Sequence, residues 1–253
     1  MKRLIIFFAG VLVLLVGGVF GLRWWVTETE SGARYLVGKL EEFVPGVAVT
    51  RIEGELDAGL RLGGVSWRSG ARTLDIAAID LRAGVQFLPR PAVNIRRLHV
   101  ERPRLVVPPS QQASEPFSFP DLASPLPVHL DDVRVREFSV QTAADDQPRV
   151  IPEIRAELSY AGALDLRSLL VRYRGMQVRA DGRVALAPPY PHNLTLAVEA
   201  GEGAPAPLAP GWRLDAGSSG SLDELTANLQ AHGDWPLAVQ ISARDLMREP
   251  RWR

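Results

Sequence analysis

The sequence has no cysteine in its 253 residues and no net charge. Without cysteine, disulfide frameworks, thiolate nucleophiles and cysteine-ligated metal sites are excluded. Lysine plus arginine and aspartate plus glutamate both number 29, which argues against a nucleic-acid binder, because such proteins usually carry a basic excess. Hydrophobic residues make up 46% of the chain, too many for a disordered protein.

Catalytic and metal-binding motifs are also missing. No two of the four histidines stand at metal-ligand spacing, and His99 and His129 occupy polar positions that predict solvated imidazoles. The adjacent carboxylates Asp131 and Asp132 would point to opposite faces of a strand, so they form no catalytic dyad. No nucleophile elbow or phosphate-binding loop is present, and residues 218–221 are predicted to form a loop. The sequence predicts no enzyme, no metal and no cofactor.

The longest uncharged apolar run lies at the start of the chain. It extends from Leu4 to Leu22, and its nineteen residues would form a helix roughly 28 Å long, close to the thickness of a bilayer core. Lys2 and Arg3 precede it, and Trp24 with Trp25 follows it, as expected for a cytoplasmic N-terminus and an interfacial anchor. We predict a single-pass signal anchor. A cleaved signal peptide is the alternative, although it would usually have a shorter core.

A helical period follows the anchor. Between Thr27 and Val44, apolar residues recur at spacings of three and four, and Pro45-Gly46 ends the pattern. Thr29 or Ser31 could cap this short amphipathic helix. Its apolar stripe is expected to close the end of an adjoining sheet. The alternative is that it lies on the membrane surface.

From Val47 onward the apolar residues alternate with polar ones, which predicts a series of short antiparallel strands. Gly63-Gly64 and Ser69-Gly70 are predicted hairpin turns. Only residues 163–170 and 221–229 are candidates for a turn or two of helix. The predicted organisation is an anchor over 1–26, a helix over 27–46 and a strand-repeat region over 47–253, with a proline-rich surface loop over 108–127.

One slip of the alternation occurs three times. It is found at Ala77-Ala78, Arg96-Arg97 and Asp131-Asp132, each time between two pairs of alternating apolar residues. Strict alternation would place the second pair on the other face unless the strand bulges there. We predict a repeated bulge that bends the sheet, with chance similarity of alternating sequences as the alternative.

The apolar positions of these strands form one continuous face, yet the sequence supplies no helices to cover it. Two arrangements satisfy this pattern. Either the sheet closes into a sandwich or barrel, or it forms a trough whose apolar lining meets something apolar from outside the chain.

The first hundred residues carry several short motifs. They are the apolar anchor, Thr29 to Leu36 (TESGARYL), Phe43 to Gly46 (FVPG), Ile52 to Leu56 (IEGEL), Leu60 to Trp67 (LRLGGVSW) and Ala92 to Leu98 (AVNIRRL). In combination they resemble the start of the TamB family, the inner-membrane subunits of the translocation and assembly module, within the AsmA-like group. The match runs to about Pro103. Members of that family are several times longer and end in a domain that engages an outer-membrane barrel, so the chain is expected to be a fragment or a truncated gene product.

The resemblance implies an all-β fold: an elongated, curled antiparallel sheet forming an open, taco-like trough in the periplasm of a Gram-negative bacterium. It implies carriage of phospholipid between the inner and outer membranes. The alternative function within the family is a scaffold for assembling outer-membrane β-barrel proteins with a barrel partner. The candidate lipid-groove residues are Leu74, Ile76, Ile79, Leu81, Val93, Ile95, Leu98, Val100, Val128, Leu130, Val133 and Val135.

Overall fold

A computed structural model describes residues 28–86, 91–107, 126–142, 147–187, 189–205, 208–221, 223–233, 236–244 and 251–252. The predicted anchor and nearly all of the proline-rich loop lie outside these residues. Within them, no helix has the length and apolar character needed to cross a bilayer. The bounds of the three predicted segments remain predictions.

The one described helix, α1, extends from Glu30 to Phe43 and confirms the helix predicted from the sequence. The side chain of Thr29 caps its first turn, since Oγ1 accepts a hydrogen bond from the backbone N–H of Gly32 at 3.1 Å. At the other end, the N–H of Val44 donates to the carbonyl of Leu40. The following Pro45-Gly46 turn places Gly46 at a φ of 86°, where a helix cannot continue.

All described strands belong to a single curled sheet. In chain order they are β1 Val47–Glu55, β2 Gly59–Ser69, β3 Arg72–Gln86, β4 Ala92–Glu101, β5 Arg104–Val107, β6 Val128–Thr142, β7 Arg149–Tyr160, β8 Ala163–Tyr173, β9 Met176–Ala185, β10 His192–Ala200, β11 Arg213–Gly220, β12 Glu224–His232, β13 Leu237–Arg244 and β14 Arg251–Trp252. Strands adjacent in sequence are neighbours in the sheet, except that β5 pairs with β3 and β6. The all-β prediction is confirmed.

The antiparallel prediction holds with one exception. Strand β6 runs parallel to its neighbours β4 and β5. This parallel pairing brings two copies of the repeated pattern side by side in register: Ile95 lies opposite Leu130, and Leu98 lies opposite Val133. The 35-residue spacing of these copies therefore reflects a structural repeat.

Several local predictions were wrong. Gly63-Gly64 lies inside β2, with Gly64 at a φ of 62°, and the hairpin that was assigned to it is at residues 56–58. Residues 163–170 belong to β8, and most of 221–229 belongs to β12. Residues 218–220 are the end of β11, not a loop. In each case neighbouring strands on both sides supply hydrogen-bond partners, and this tertiary pairing overrides local turn or helix propensity.

The predicted bulges occur at two of the three slips. The β3–β4 register shifts so that no residue of β3 pairs with Arg96 in the ladder. The β6–β7 register shifts between Leu130 and Val133. At Ala77-Ala78 the β2–β3 register is unbroken, so there is no bulge. Here Gly64, in the neighbouring strand β2, has a left-handed backbone conformation. Both the bulges and this glycine interrupt the regular pleat, so the apolar residues on both sides of the slip keep the same face.

The buried core is small and lies at the β1 end of the sheet. Ala33 and Val37 of α1 pack on Leu60 and Leu62 of β2, and the half-buried Leu56 joins this cluster from the β1–β2 hairpin. Elsewhere in the described part of the chain, no large side chain is fully buried. Beyond the contact with α1, no second layer of described strands or helices covers the sheet.

Candidate functional site

The candidate site is the apolar face of the sheet. One row of side chains crosses it with a contribution from each of twelve strands. This first apolar row consists of Ile52, Leu62, Ile79, Val100, Val135, Ile154, Val171, Val178, Val198, Leu214, Ala231 and Leu237. Directly paired residues on neighbouring strands share a face, so every member points to the same side of the sheet.

A second apolar row runs beside the first, two residues away along each strand. It consists of Leu60, Leu81, Leu98, Val133, Ala156, Leu169, Ala180, Leu196, Ala216, Leu229 and Val239. The two rows together form an unbroken hydrocarbon stripe across the strands. We call the side of the sheet that carries them the apolar face.

The residues between the two rows point to the opposite side and are mostly polar. That side carries a series of ion pairs. Arg155 and Arg172 both contact Glu153, at 2.6 and 2.8 Å, and Arg179 contacts Glu199 at 3.0 Å. The sheet is therefore amphipathic over its whole width, with charge on one side and hydrocarbon on the other.

The structure brings the twelve predicted groove residues onto the apolar face. Six belong to the two rows: Ile79, Val100, Val135, Leu81, Leu98 and Val133. Val93, Ile95, Val128 and Leu130 continue the same face past the bulges, because they pair with Val85, Ala83, Tyr160 and Leu158. Leu74 and Ile76 continue it toward the other strand ends, opposite Trp67 and Val65. All twelve side chains are half-buried.

Sequence reasoning missed the second half of this face. In β10 to β13, Leu196, Val239 and Ile241 are 37, 36 and 39% exposed. They line a shallow apolar depression of about 260 Å³ together with Leu194 and Leu229. The alternating pattern of these strands was visible in the sequence, and it would have found these residues if extended past Val135.

One polar contact interrupts the apolar face near the start of β10. The Nδ1 of His192 lies 3.2 Å from the carbonyl of Tyr190, and its Nε2 lies 2.9 Å from the hydroxyl of Ser218. Since a carbonyl only accepts, Nδ1 carries the proton in the neutral ring, and Nε2 accepts from Ser218. Both ring nitrogens are satisfied, which makes a polar side chain tolerable on an apolar surface.

The solvated imidazole predicted for His99 was wrong. Its Nε2 lies 2.9 Å from Asp132 Oδ2, and Arg134 donates to the other carboxylate oxygen at 2.8 Å. Burial alone would raise the pKa of Asp132, but the hydrogen bonds from His99 and Arg134 outweigh it, so the pKa is below its ordinary value. Because Asp132 stands at the β6 bulge, this contact fastens β6 to β4 at the irregular point.

The charged side of the sheet is occupied by ion pairs between arginine and carboxylate side chains. A hydrogen bond from Arg155 is the main cause that lowers the pKa of Glu153, which keeps this carboxylate ionised between its arginine partners. Among the described residues, no three His, Asp or Glu side chains are placed to hold a metal ion. What the molecule presents is an extended apolar surface.

The family model described as "TamB, N-terminal domain" matches residues 19–145 and again 117–248. The two matches overlap at β6, the strand that pairs in parallel with β4. No curated protein and no solved structure matches the chain.

Proteins of this family have a role in outer-membrane assembly or lipid transport, and they are not enzymes. They are anchored in the inner membrane of Gram-negative bacteria and work with the outer-membrane protein TamA. The two matches together cover most of the sequence and include every strand from β1 to β13. The chain belongs to the TamB N-terminal domain family.

Proposed function

We propose that the apolar face is the lining of an open trough that carries phospholipid between the inner and outer membranes. The observation that carries this proposal is the pair of apolar rows, which run across the strands without a polar member. A path of this kind needs no catalytic residue. It needs only continuous hydrocarbon along the direction of transport.

The physical reason is the cost of exposing acyl chains to water. Each exposed CH₂ costs about 0.8 kcal/mol, so a two-chain phospholipid leaving a bilayer faces a barrier above roughly 20 kcal/mol. A one-layer apolar face shields the chains on one side and leaves the headgroup in water. The contacts along the rows are alike, so a lipid can move from one strand to the next without a large change in free energy.

The amount of exposed hydrocarbon supports the proposal. A closed sandwich would bury these side chains between two sheets, whereas all the described strands form one sheet and most row residues beyond the contact with α1 are half-buried or exposed. Patches larger than a few hundred Å² are rare on monomeric proteins unless they bind something. The two rows form one contiguous apolar surface that extends over eleven strands.

A photo-crosslinking experiment tests the proposal. A benzophenone amino acid at Leu98 would lie on the apolar face, and the same group at the adjacent, exposed Arg97 would lie on the charged side. We expect phospholipid adducts at position 98, detected by mass spectrometry of the full chain from membranes, and few or none at position 97. Equal labelling at the two positions, or none at either, would contradict a lipid path.

Charges on the same face provide a functional test. Leu98→Asp and Val133→Asp, which are neighbours in the second row, should block lipid passage while the ladder hydrogen bonds remain. The matched variant is Arg97→Asp, which adds a carboxylate on the other side. The measurement is lipid supply to the outer membrane, with circular dichroism to confirm the strand content. Normal lipid supply in a folded Leu98→Asp protein would rule out the conduit.

A second candidate function is a scaffold for assembly of outer-membrane β-barrel proteins, with a barrel protein as partner. The feature that favours it is the edge of β13. Within the described part of the chain, Leu237–Ser242 pair with β12 on one side, and β14 pairs with Ala243 and Arg244 on the other. An unpaired strand edge can accept an additional strand. Groove charges would leave this edge intact, so normal barrel assembly in a folded Leu98→Asp protein is the result expected of the scaffold.

The predicted single-pass anchor over residues 1–26 completes the proposal. It would hold the β1 end of the sheet at the inner membrane, with the strand region in the periplasm. The direction of the two apolar rows, from β1 to β13, would then lead away from that membrane. Retention of the full chain in membranes after an alkaline wash is the expected result.

A further inference from the structure

The apolar stripe of α1 extends beyond the sheet on which the helix packs. Along the stripe, Ala33 is 0% exposed, Val37 is 5%, Leu40 is 46% and Phe43 is 78%. These residues recur at spacings of three and four, so they share one side of the helix. The first half of the stripe is therefore core, and the last turn is an exposed apolar surface.

The orientation of α1 follows from its contacts. The carboxylate of Glu41 accepts a hydrogen bond from the N–H of Val49 at 2.7 Å, near the start of β1. Val37 and Ala33 pack near Leu62 and Leu60, which pair with Ile52 and Gly54 farther along β1. The helix thus runs back along the terminal strand and lies parallel to the strands. Because the apolar rows cross the strands, α1 lies across the direction of the proposed trough.

We propose that the last turn of α1, with Leu40 and Phe43, rests on the lipid surface of the membrane that holds the chain, so that α1 is an interfacial helix at the foot of the sheet. This inference rests on the proposed anchoring. The apolar run in the sequence ends at Leu22, and the seven residues before Glu30 can span at most roughly 25 Å. Because α1 lies across the trough axis and is joined to the anchor by this short segment, it presents its side, and not its end, to the bilayer.

The charges of α1 indicate how it binds. Arg34 pairs with Glu30, and Lys39 pairs with Glu42, so the helix carries no excess of positive charge that would select anionic lipids. The attraction comes from apolar burial, and the tether supplies a high local concentration of lipid. Contact with uncharged phosphatidylcholine vesicles, with little dependence on salt, is therefore expected.

Single fluorescent labels test this contact in the full chain reconstituted in phosphatidylcholine vesicles. Because the protein has no cysteine, Phe43→Cys and Gly38→Cys each provide one labelling site. Gly38 lies about 140° around the helix from Phe43 and faces open space, which makes it the matched control. The label at 43 should be quenched by spin-labelled lipid and shielded several-fold from aqueous iodide. The label at 38 should show the reverse.

The possible failures are distinguishable. Equal access of iodide to both positions in membrane-retained protein would overturn this inference and leave the anchor intact. Shielding at 43 without quenching by lipid would mean that a protein surface covers the helix, which also overturns it. Loss of the chain from vesicles after an alkaline wash would overturn both this inference and the proposed anchoring. Leu40→Cys provides a second position on the same stripe if the label at 43 perturbs folding.

Discussion

At the scale of single residues, a glycine in β9 allows the backbones of β9 and β10 to approach closely. Gly182, inside β9, adopts a φ of 142°, and an added Cβ would lie 2.1 Å from the carbonyl oxygen of Asn193 in β10. No flexible side chain is available to yield there, since the obstacle is backbone. The glycine permits the β9–β10 pairing that carries both apolar rows into the second half of the sheet.

Gly182→Ala should therefore destabilise the sheet by about 1–3 kcal/mol, because it combines a disfavoured backbone conformation with a backbone clash. Urea denaturation of the full chain would measure the change. Gly38→Ala is the control. It introduces a methyl group into open space on a helix and should stabilise the protein slightly. A Gly182→Ala protein as stable as the parent would show that β9 and β10 are not held this closely.

The second residue-scale prediction concerns pH. The pKa of Glu153 is lowered below its ordinary value of 4.5, chiefly by a hydrogen bond from Arg155. A lowered folded-state pKa contributes stability above the ordinary value and loses it as pH falls through the lower folded value. Glu153→Gln should thus flatten the loss of stability on acidification below about pH 4.5.

Urea titrations between neutral pH and pH 3 would follow this effect. Glu224→Gln is a suitable comparison, because the Glu224–Arg244 pair is 68 and 71% exposed and exposed pairs contribute little. We expect that variant to keep the parent profile. Identical acid profiles for the parent and Glu153→Gln would mean that the arginine pair does not stabilise the ionised carboxylate.

At the scale of elements, α1 is attached by a small contact. Val37 is the larger of its two buried side chains, and it packs against Leu60 and Leu62. Val37→Asp would place a charge in this contact, so it should release the helix at a cost of about 2–4 kcal/mol. The adjacent Gly38→Asp, which faces open space, should have little effect.

Hydrogen exchange would locate the change. Amides of α1, β1 and β2 should lose protection in Val37→Asp, while those of β8 to β10 should keep it, because the described strands make most of their contacts with their neighbours in the sheet. Loss of protection throughout the sheet would contradict this separation. It would show that the helix contact is needed for the whole fold.

At the scale of the whole molecule, the sheet resembles a repeat array in its energetics. Among the described elements, most contacts lie between neighbours in the sheet, and the buried cluster around Leu60 and Leu62 lies at the β1 end. At the other end, Leu237, Val239 and Ile241 of β13 are among the most exposed apolar residues. Opening should therefore start at β13 and proceed inward.

Native-state hydrogen exchange should show amide protection that falls from β2–β8 toward β12 and β13. If phospholipid occupies the apolar face, adding it should increase the protection of the strands that carry the two rows, since a ligand that binds only the folded sheet stabilises it. Uniform protection across all strands would show one cooperative unit.

The sequence by itself determined the all-β class, the helix with Thr29 as one of two candidate caps, and the apolar identity of the twelve groove residues. These follow from local periodicity: a strand with one buried face alternates, and a helix with one buried stripe repeats every three or four residues. The slip at Arg96-Arg97 and at Asp131-Asp132 also predicted a bulge, because two apolar pairs out of phase share a face only where the strand departs from regular pleating.

Only the tertiary structure decided which strands are neighbours and therefore what the apolar residues form together. The parallel return of β6 beside β4 joins residues 35 positions apart, and no local pattern specifies that pairing. Gly63-Gly64 has the composition of a turn, yet it lies within β2 because partners on both sides extend the ladder. The continuous rows, the exposed last turn of α1 and the contact of His99 with Asp132 all depend on such long-range register, which is set by packing across the sheet and not by the residues' own neighbours.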